Sequence, residues 1–410
     1  MKIDRRSLIG AGASALGQTA CLTRPADAAS ARSISLLSPV RTGVATVDSQ
    51  GCVTYPDQPV AASKTFNFAG EATGSFKNIM ISVPGVRPWG KVVQQSNGSW
   101  ICTMDLSTVR TGPLNCRIMA WYDDWGEKVI NLDFTLLIDN PLVRRAALGV
   151  PAAAAGMRPI LVDDFDAFPD ERRWAFGVRP DGSQWGSGSH FMTNKENLSD
   201  VFQLPMPSCL RIRAVHDENY RDPERWNRKW RSGLLCTAYA DQRPPIATFR
   251  KGYVEMKAIL PLGKGMWPSM WGLPLHKDGR GPNKSFPLNE LDPLEGYCQT
   301  ADPGKYSISN GAIEWTSPGK MGKVSGPKFT REFDATSDWH VYACAVDDTD
   351  MTCYIDDKVT YKIPIPVPEL KDPFYWMFDN ALSAGDWPIV VPPAGYVDMW
   401  IDYIRIFSAD

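Results

Sequence analysis

The amino-acid sequence predicts an all-β protein built from two sandwiches. Short apolar runs with strand-like alternation recur along nearly the whole chain, and Gly, Pro and Asn turn residues separate them. No long stretch carries the 3.6-residue period of an amphipathic helix. A length of 410 residues is more than one ordinary domain needs and suffices for two well-buried cores. The formal net charge of −2 and an average apolar content argue against disorder and against bulk attraction to nucleic acid, so any partner must be read from a specific site.

In chain order, residues 1–29 read as an export segment. Arg5-Arg6 precede Ser7-Leu8-Ile9, a modest apolar stretch runs to Leu22, and Ala26-Asp27-Ala28-Ala29 resembles a cleavage site, the pattern of a twin-arginine signal. Gly10, Gly12 and Gly17 interrupt its apolar core, and no stretch reaches the ~20 apolar residues of a spanning helix, so membrane insertion is not expected. The expected product is a periplasmic or extracellular monomer. Cys21 suits a lipoprotein reading, but Gln18 stands where an aliphatic residue is wanted.

Residues 33–140 form the first predicted sandwich. Asn97-Gly98 turns into Trp100–Leu106, and Thr111-Gly112-Pro113 turns into Leu114–Trp121. The segment from Trp100 to Asn140 resembles immunoglobulin-like modules, and Trp89, Trp100, Trp121 and Trp125 are its candidate exposed rings. Residues 141–158, with Arg144-Arg145-Ala146-Ala147 and Pro151-Ala152-Ala153-Ala154-Ala155-Gly156, read as a linker. From 159 to 410 come the runs of a second all-β domain: Gly252–Leu260, Trp339–Val346, Thr352–Ile355, Pro373–Phe378 and Tyr396–Phe407.

Eight cysteines remain beyond the export segment. Cys344 and Cys353 flank the turn-rich Asp347–Asp350 and are expected as cross-strand neighbours, either bridged or as buried thiols. Neither a Cys-x-x-Cys nor a His-Glu-x-x-His pattern occurs, which argues against a zinc or thioredoxin-like site.

Chemistry concentrates in Glu290-Leu291-Asp292-Pro293-Leu294-Glu295. On a strand Glu290 and Asp292 share a face, whereas Glu295 points to the other. A β-bulge restores Glu295 to the shared face, and Pro293, lacking an N–H, is at home in one. Three acids on one face cannot all ionise cheaply, which favours a division into proton donor and nucleophile.

This run resembles the E-x-D-x-x-E signature of family 16 glycoside hydrolases in its bulged form. Flanking pieces agree in order: Asp163-Asp164-Phe165-Asp166, Arg231–Thr237, Gly265-Met266-Trp267-Pro268-Ser269-Met270-Trp271, His340-Val341-Tyr342, Asn380 with Gly385 and Trp387, and Ile401–Ile406. The resemblance covers residues 160 to 408. It implies a concanavalin-like jelly-roll β-sandwich and a retaining endo-hydrolase of internal β-linkages in a polysaccharide, β-1,3- or mixed β-1,3/1,4-glucan. Glu290 would be the nucleophile, Glu295 the acid/base and Asp292 the carboxylate between them. Trp267, Trp271, Trp185 and Trp387 become candidate sugar platforms, with packing roles as the alternative, and Asn380 a candidate hydroxyl partner. No cofactor is required; Asp164 and Asp402 are the candidate donors for an optional structural Ca²⁺. His340 reads as a satisfied structural histidine. One departure stands out: where many relatives carry a His on the following strand, this chain has Ser309–Trp315, and Glu314 is the candidate replacement. The competing readings are a transglycosylase, a non-catalytic glycan-binding protein, or a glycan-binding role centred on the first sandwich. Basic stretches Arg225–Arg231 and His276–Lys284 suggest an anionic glycan.

Overall fold

A computed structural model describes residues 32–39, 45–46, 58–122, 128–141, 143, 149–177, 188–193, 198–239, 243–275, 285–298, 305–383, 387–392 and 394–410. The export segment, Cys21, Cys52, Trp125, Arg144-Arg145-Ala146-Ala147, Trp185, the loop 276–284 and Gly385 lie outside the described residues. Two compact units are present, the smaller containing Tyr55–Arg144 and the larger Arg145–Asp410.

The smaller unit is a β-sandwich. One sheet orders Ser33–Ser38, Phe66–Thr73, Ser99–Met104 and Val93–Gln94; the other centres on Val129–Asp139, Gly112–Trp121 and Asn78–Ser82. Phe66–Thr73 alternates buried and outward residues, which sends Phe66, Phe68 and Ala72 into a core with Ile81, Leu114, Ile118 and Phe134. Trp100 belongs to that core at 0% exposure, so it is not one of the exposed rings expected from the sequence. Gly70 makes room for it: a Cβ there would lie 2.3 Å from the Trp100 ring.

The larger unit is a jelly-roll sandwich of two mainly antiparallel sheets. A ten-stranded sheet runs through Leu210–His216, Tyr396–Ser408, Gly252–Ile259, His340–Val346, Asp350–Ile355 and Lys358–Pro364. An eight-stranded sheet orders Leu234–Cys236, Phe374–Leu382, Met266–Pro274, Leu288–Tyr297, Lys305–Ser317 and Lys320–Phe329. The chain crosses repeatedly from sheet to sheet, so the core between them draws on both: Val254, Met256, Ile401 and Ile404 meet Met270, Leu291, Leu294, Ala312 and Phe378. Each fully buried side chain of this kind contributes about 1.5–3 kcal/mol. Cys344 and Cys353 are directly opposed in register and both are buried free thiols. His340 is satisfied on both nitrogens, by Asp356 at 2.7 Å and the Asp334 carbonyl at 3.1 Å.

The outer face of the eight-stranded sheet carries a second apolar cluster that includes Trp267, Trp271, Tyr375 and Met377, flanked by Tyr297 and Trp387. A sheet apolar on both faces follows from runs such as Met266–Pro274, in which all but one residue is buried.

Candidate active site

The acidic strand Leu288–Tyr297 lies between Met266–Pro274 and Lys305–Ser317, and its register with both neighbours slips at one place. Leu291 faces Gly272 and Leu294 faces Met270, so three steps on the acidic strand span two on the next. Across the other edge, Asp292 faces Gly311 and Glu295 faces Ser309, the same excess of one residue. This is a β-bulge at Asp292-Pro293. Its consequence follows from parity: Glu290, Asp292 and Glu295 oppose Ile313, Gly311 and Ser309, alternate residues of one strand, and so share one face. Leu291 and Leu294 take the opposite face into the core. The Asn310 side-chain amide, itself accepting from the Thr360 hydroxyl at 3.0 Å, donates to the Pro293 carbonyl and pins the bulge from beneath.

The carboxylates have different partners. Glu290 and Asp292 are each 2% exposed, and the Trp315 indole N–H donates to Glu290 Oε2 at 3.0 Å. An indole only donates, so this contact fixes one carboxylate oxygen as acceptor and orients the group. Glu295 is half-buried, with the Tyr297 hydroxyl donating to Oε1 and the Ser309 hydroxyl to Oε2, each at 3.3 Å.

Aromatic rings lie next to Glu295. Trp267 stacks on Tyr297 with centroids 6.1 Å apart, Trp387 contacts both at 6.0 and 5.4 Å, and Phe329 meets Tyr297 at 5.9 Å. Phe329 opposes Ser309 in register and is 49% exposed, the most accessible ring of the group. Trp271 shares the parity of Trp267 and is as enclosed, the two being 2% and 3% exposed, and it donates to Asp379 Oδ2 at 2.8 Å; both pack within the face instead of offering open platforms.

Two residues singled out from sequence lie elsewhere. Asn380 has core parity: Asp379 opposes Ser269 on the outer face, while the Asn380 amide donates to the Ile212 and Val397 carbonyls of the other sheet at 3.0 and 3.3 Å. It ties the two sheets together and is not a sugar contact. Glu314 is likewise out of phase with Ile313 and accepts from the Lys323 backbone N–H at 2.7 Å, so it does not replace the missing His. Trp315, Tyr297, Ser309, Asp379 and Phe329 are the residues that sequence reasoning passed over. Only Tyr297 carried a usable signal, lying two residues beyond Glu295 on the same strand.

Two of the four cations in Arg225–Arg231 are paired within the fold. Arg228 pairs with Asp222 and Glu224, each at 2.7 Å, and Arg231 with Asp200 at 2.5 Å. This weakens that stretch as an argument for an anionic glycan; the other basic stretch, 276–284, lies outside the described residues. One of the two candidate calcium donors already has a cation of the chain beside it: Lys257 Nζ sits 2.8 Å from Asp402 Oδ2. Among the described residues no group of three or more His, Cys, Asp or Glu is arranged to hold a metal ion.

No family model matches the chain. It is similar to glucan endo-1,3-beta-glucosidase A1 of Niallia circulans, 25% identical over 358 residues that cover 78% of this chain and 49% of that protein. It is also similar to the beta-glucanase of Rhodothermus marinus, 25% identical over 260 residues, 60% of this chain and 82% of that one. The chain thus spans about half the length of the first of these relatives. Among solved structures, a non-specific endo-beta-1,3(4)-glucanase from family GH16 aligns with a TM-score of 0.48 and 18% identity, over 63% of this chain and 93% of the other. The Rhodothermus marinus laminarinase aligns with a TM-score of 0.45 and 21% identity, over 62% and 97%.

Proposed function

We propose that this chain is an endo-acting glycoside hydrolase of family 16 type that cleaves internal β-linkages of a β-1,3- or mixed β-1,3/1,4-glucan with retention of configuration. The observation that carries the reading is the bulge, which brings Glu290, Asp292 and Glu295 onto one face beside a ring cluster. The two curated relatives described above, a glucan endo-1,3-beta-glucosidase and a beta-glucanase, support the substrate class.

In the first step a Glu290 oxygen attacks the anomeric carbon while Glu295 passes its proton to the glycosidic oxygen, and the leaving sugar departs. A glycosyl ester on Glu290 remains. In the second step water attacks the same carbon, its proton goes to the Glu295 carboxylate, and the ester bond to Glu290 breaks. Asp292 lies between the two, where its charge helps to keep the proton on Glu295 until it is transferred. No cofactor takes part. The same reading takes the chain as exported through its twin-arginine segment, with the smaller sandwich as an immunoglobulin-like accessory module.

The test is proton NMR of the first product released from laminarin, together with Glu290→Ala. The expected first product is the retained anomer, and Glu290→Ala abolishes turnover; an inverted anomer or near-normal turnover in the variant would overturn the assignment. Products longer than the substrate would make transfer to a sugar hydroxyl the main reaction.

A further inference from the structure

We propose that the Tyr297 and Ser309 hydroxyls are positioning groups that set the pH at which Glu295 gives up its proton. The inference rests on the hydrolase reading for its consequence in turnover. Its basis is a contrast between the two glutamates. Among its contacts, Glu290 accepts from the Trp315 indole, a group that donates and never accepts. Glu295 must be an acid in one step and a base in the next, and its two oxygens face two hydroxyls. A hydroxyl can donate to a carboxylate and turn to accept from a carboxylic acid, so the same contacts serve both forms.

The balance between those forms is set by what else faces Glu295. Asp292 and Glu290 share its strand and face. Asp379 lies beyond Ser269, the residue opposite Glu295 on the adjacent strand. On the other edge come Ser309, opposite Glu295, and then Phe329, neither of them charged. These three carboxylates therefore hold the proton on Glu295. The two hydroxyl donors act against them, because donation to both oxygens favours the ionised form. Tyr297 is held for this by Trp267, Trp387 and Phe329, all within 6.1 Å between centroids, so removing its hydroxyl leaves the ring in place.

The experiment uses the full chain and two readouts. The first is kcat/KM on laminarin against pH for the wild type, Tyr297→Phe and Ser309→Ala. The second is a ¹³C NMR titration of labelled glutamate carboxyls, with the Glu295 signal assigned by its loss in Glu295→Gln. Each variant is expected to move the alkaline limb and the Glu295 midpoint upward by about one to two pH units, the size of one hydrogen bond to the charged form. Ser309→Ala guards against a Tyr297 variant that disturbs the rings. Midpoints that stay put or fall in both variants would overturn the proposal. The NMR titration keeps the two readings apart: a moved midpoint in an inactive protein sinks the hydrolase reading alone, and an unmoved midpoint in an active one sinks this proposal alone.

Discussion

Replacing Trp315 by Phe removes one hydrogen bond and little else, which makes it a sharp test of how Glu290 is held. Trp315 is 4% exposed and Glu290 2%, so no bulk water stands ready to replace the indole N–H lost from Oε2. A hydrogen bond to a charged group is worth about 1.5–3 kcal/mol. If the bond orients the nucleophile in the transition state, that energy corresponds to a fall in kcat/KM of about 10- to 150-fold at ~1.4 kcal/mol per tenfold. The assay is reducing-end release from laminarin, with thermal unfolding measured in parallel so that a folding defect is not read as a catalytic one. Trp315→Phe with more than half the wild-type kcat/KM would refute the reasoning and return Trp315 to the status of a packing residue.

Three further outcomes follow from the same structure. Asn380→Leu strips the tie between the sheets and is expected to destabilise by about 1–3 kcal/mol, seen as a lower Tm, with KM unchanged for the folded fraction; a raised KM at unchanged Tm would place Asn380 in substrate binding after all. Burial drives the His190 imidazole down to about 3, with the nearby Arg228 charge adding to the effect. The unfolded chain therefore binds a proton near pH 6.5 that the folded chain refuses. The stability His190 confers is complete above that pH and is lost progressively as pH falls towards 3, by at most about 5 kcal/mol. Denaturant titrations at pH 7 and pH 4 check this, and a His190→Phe variant should lose less between the two. Finally, EDTA and added Ca²⁺ should leave Tm unchanged, because Lys257 already neutralises Asp402; a rise of several degrees on adding Ca²⁺ would show that a metal displaces the lysine.

Much of this protein is legible without coordinates because strand alternation and turn residues are local properties. The runs read as Gly252–Leu260 and Tyr396–Phe407 become Gly252–Ile259 and Tyr396–Ser408. The bulge was legible too, since Glu290 and Glu295 stand five residues apart, an odd spacing that puts them on one face only if an extra residue is inserted. What alternation does not carry is phase relative to neighbours distant in sequence. Asn380 and Asp379 are adjacent and both polar, and only pairing with Met266–Pro274 sends Asp379 outward and Asn380 into the core. The same holds for Glu314 and Trp315, where the second reaches Glu290 and the first does not. Lys257 and Asp402 are 145 positions apart in the chain and meet only because their strands pair. Periodicity determined which residues alternate. Long-range register, set by how the sheets pair and pack, decided which of them meet at the site.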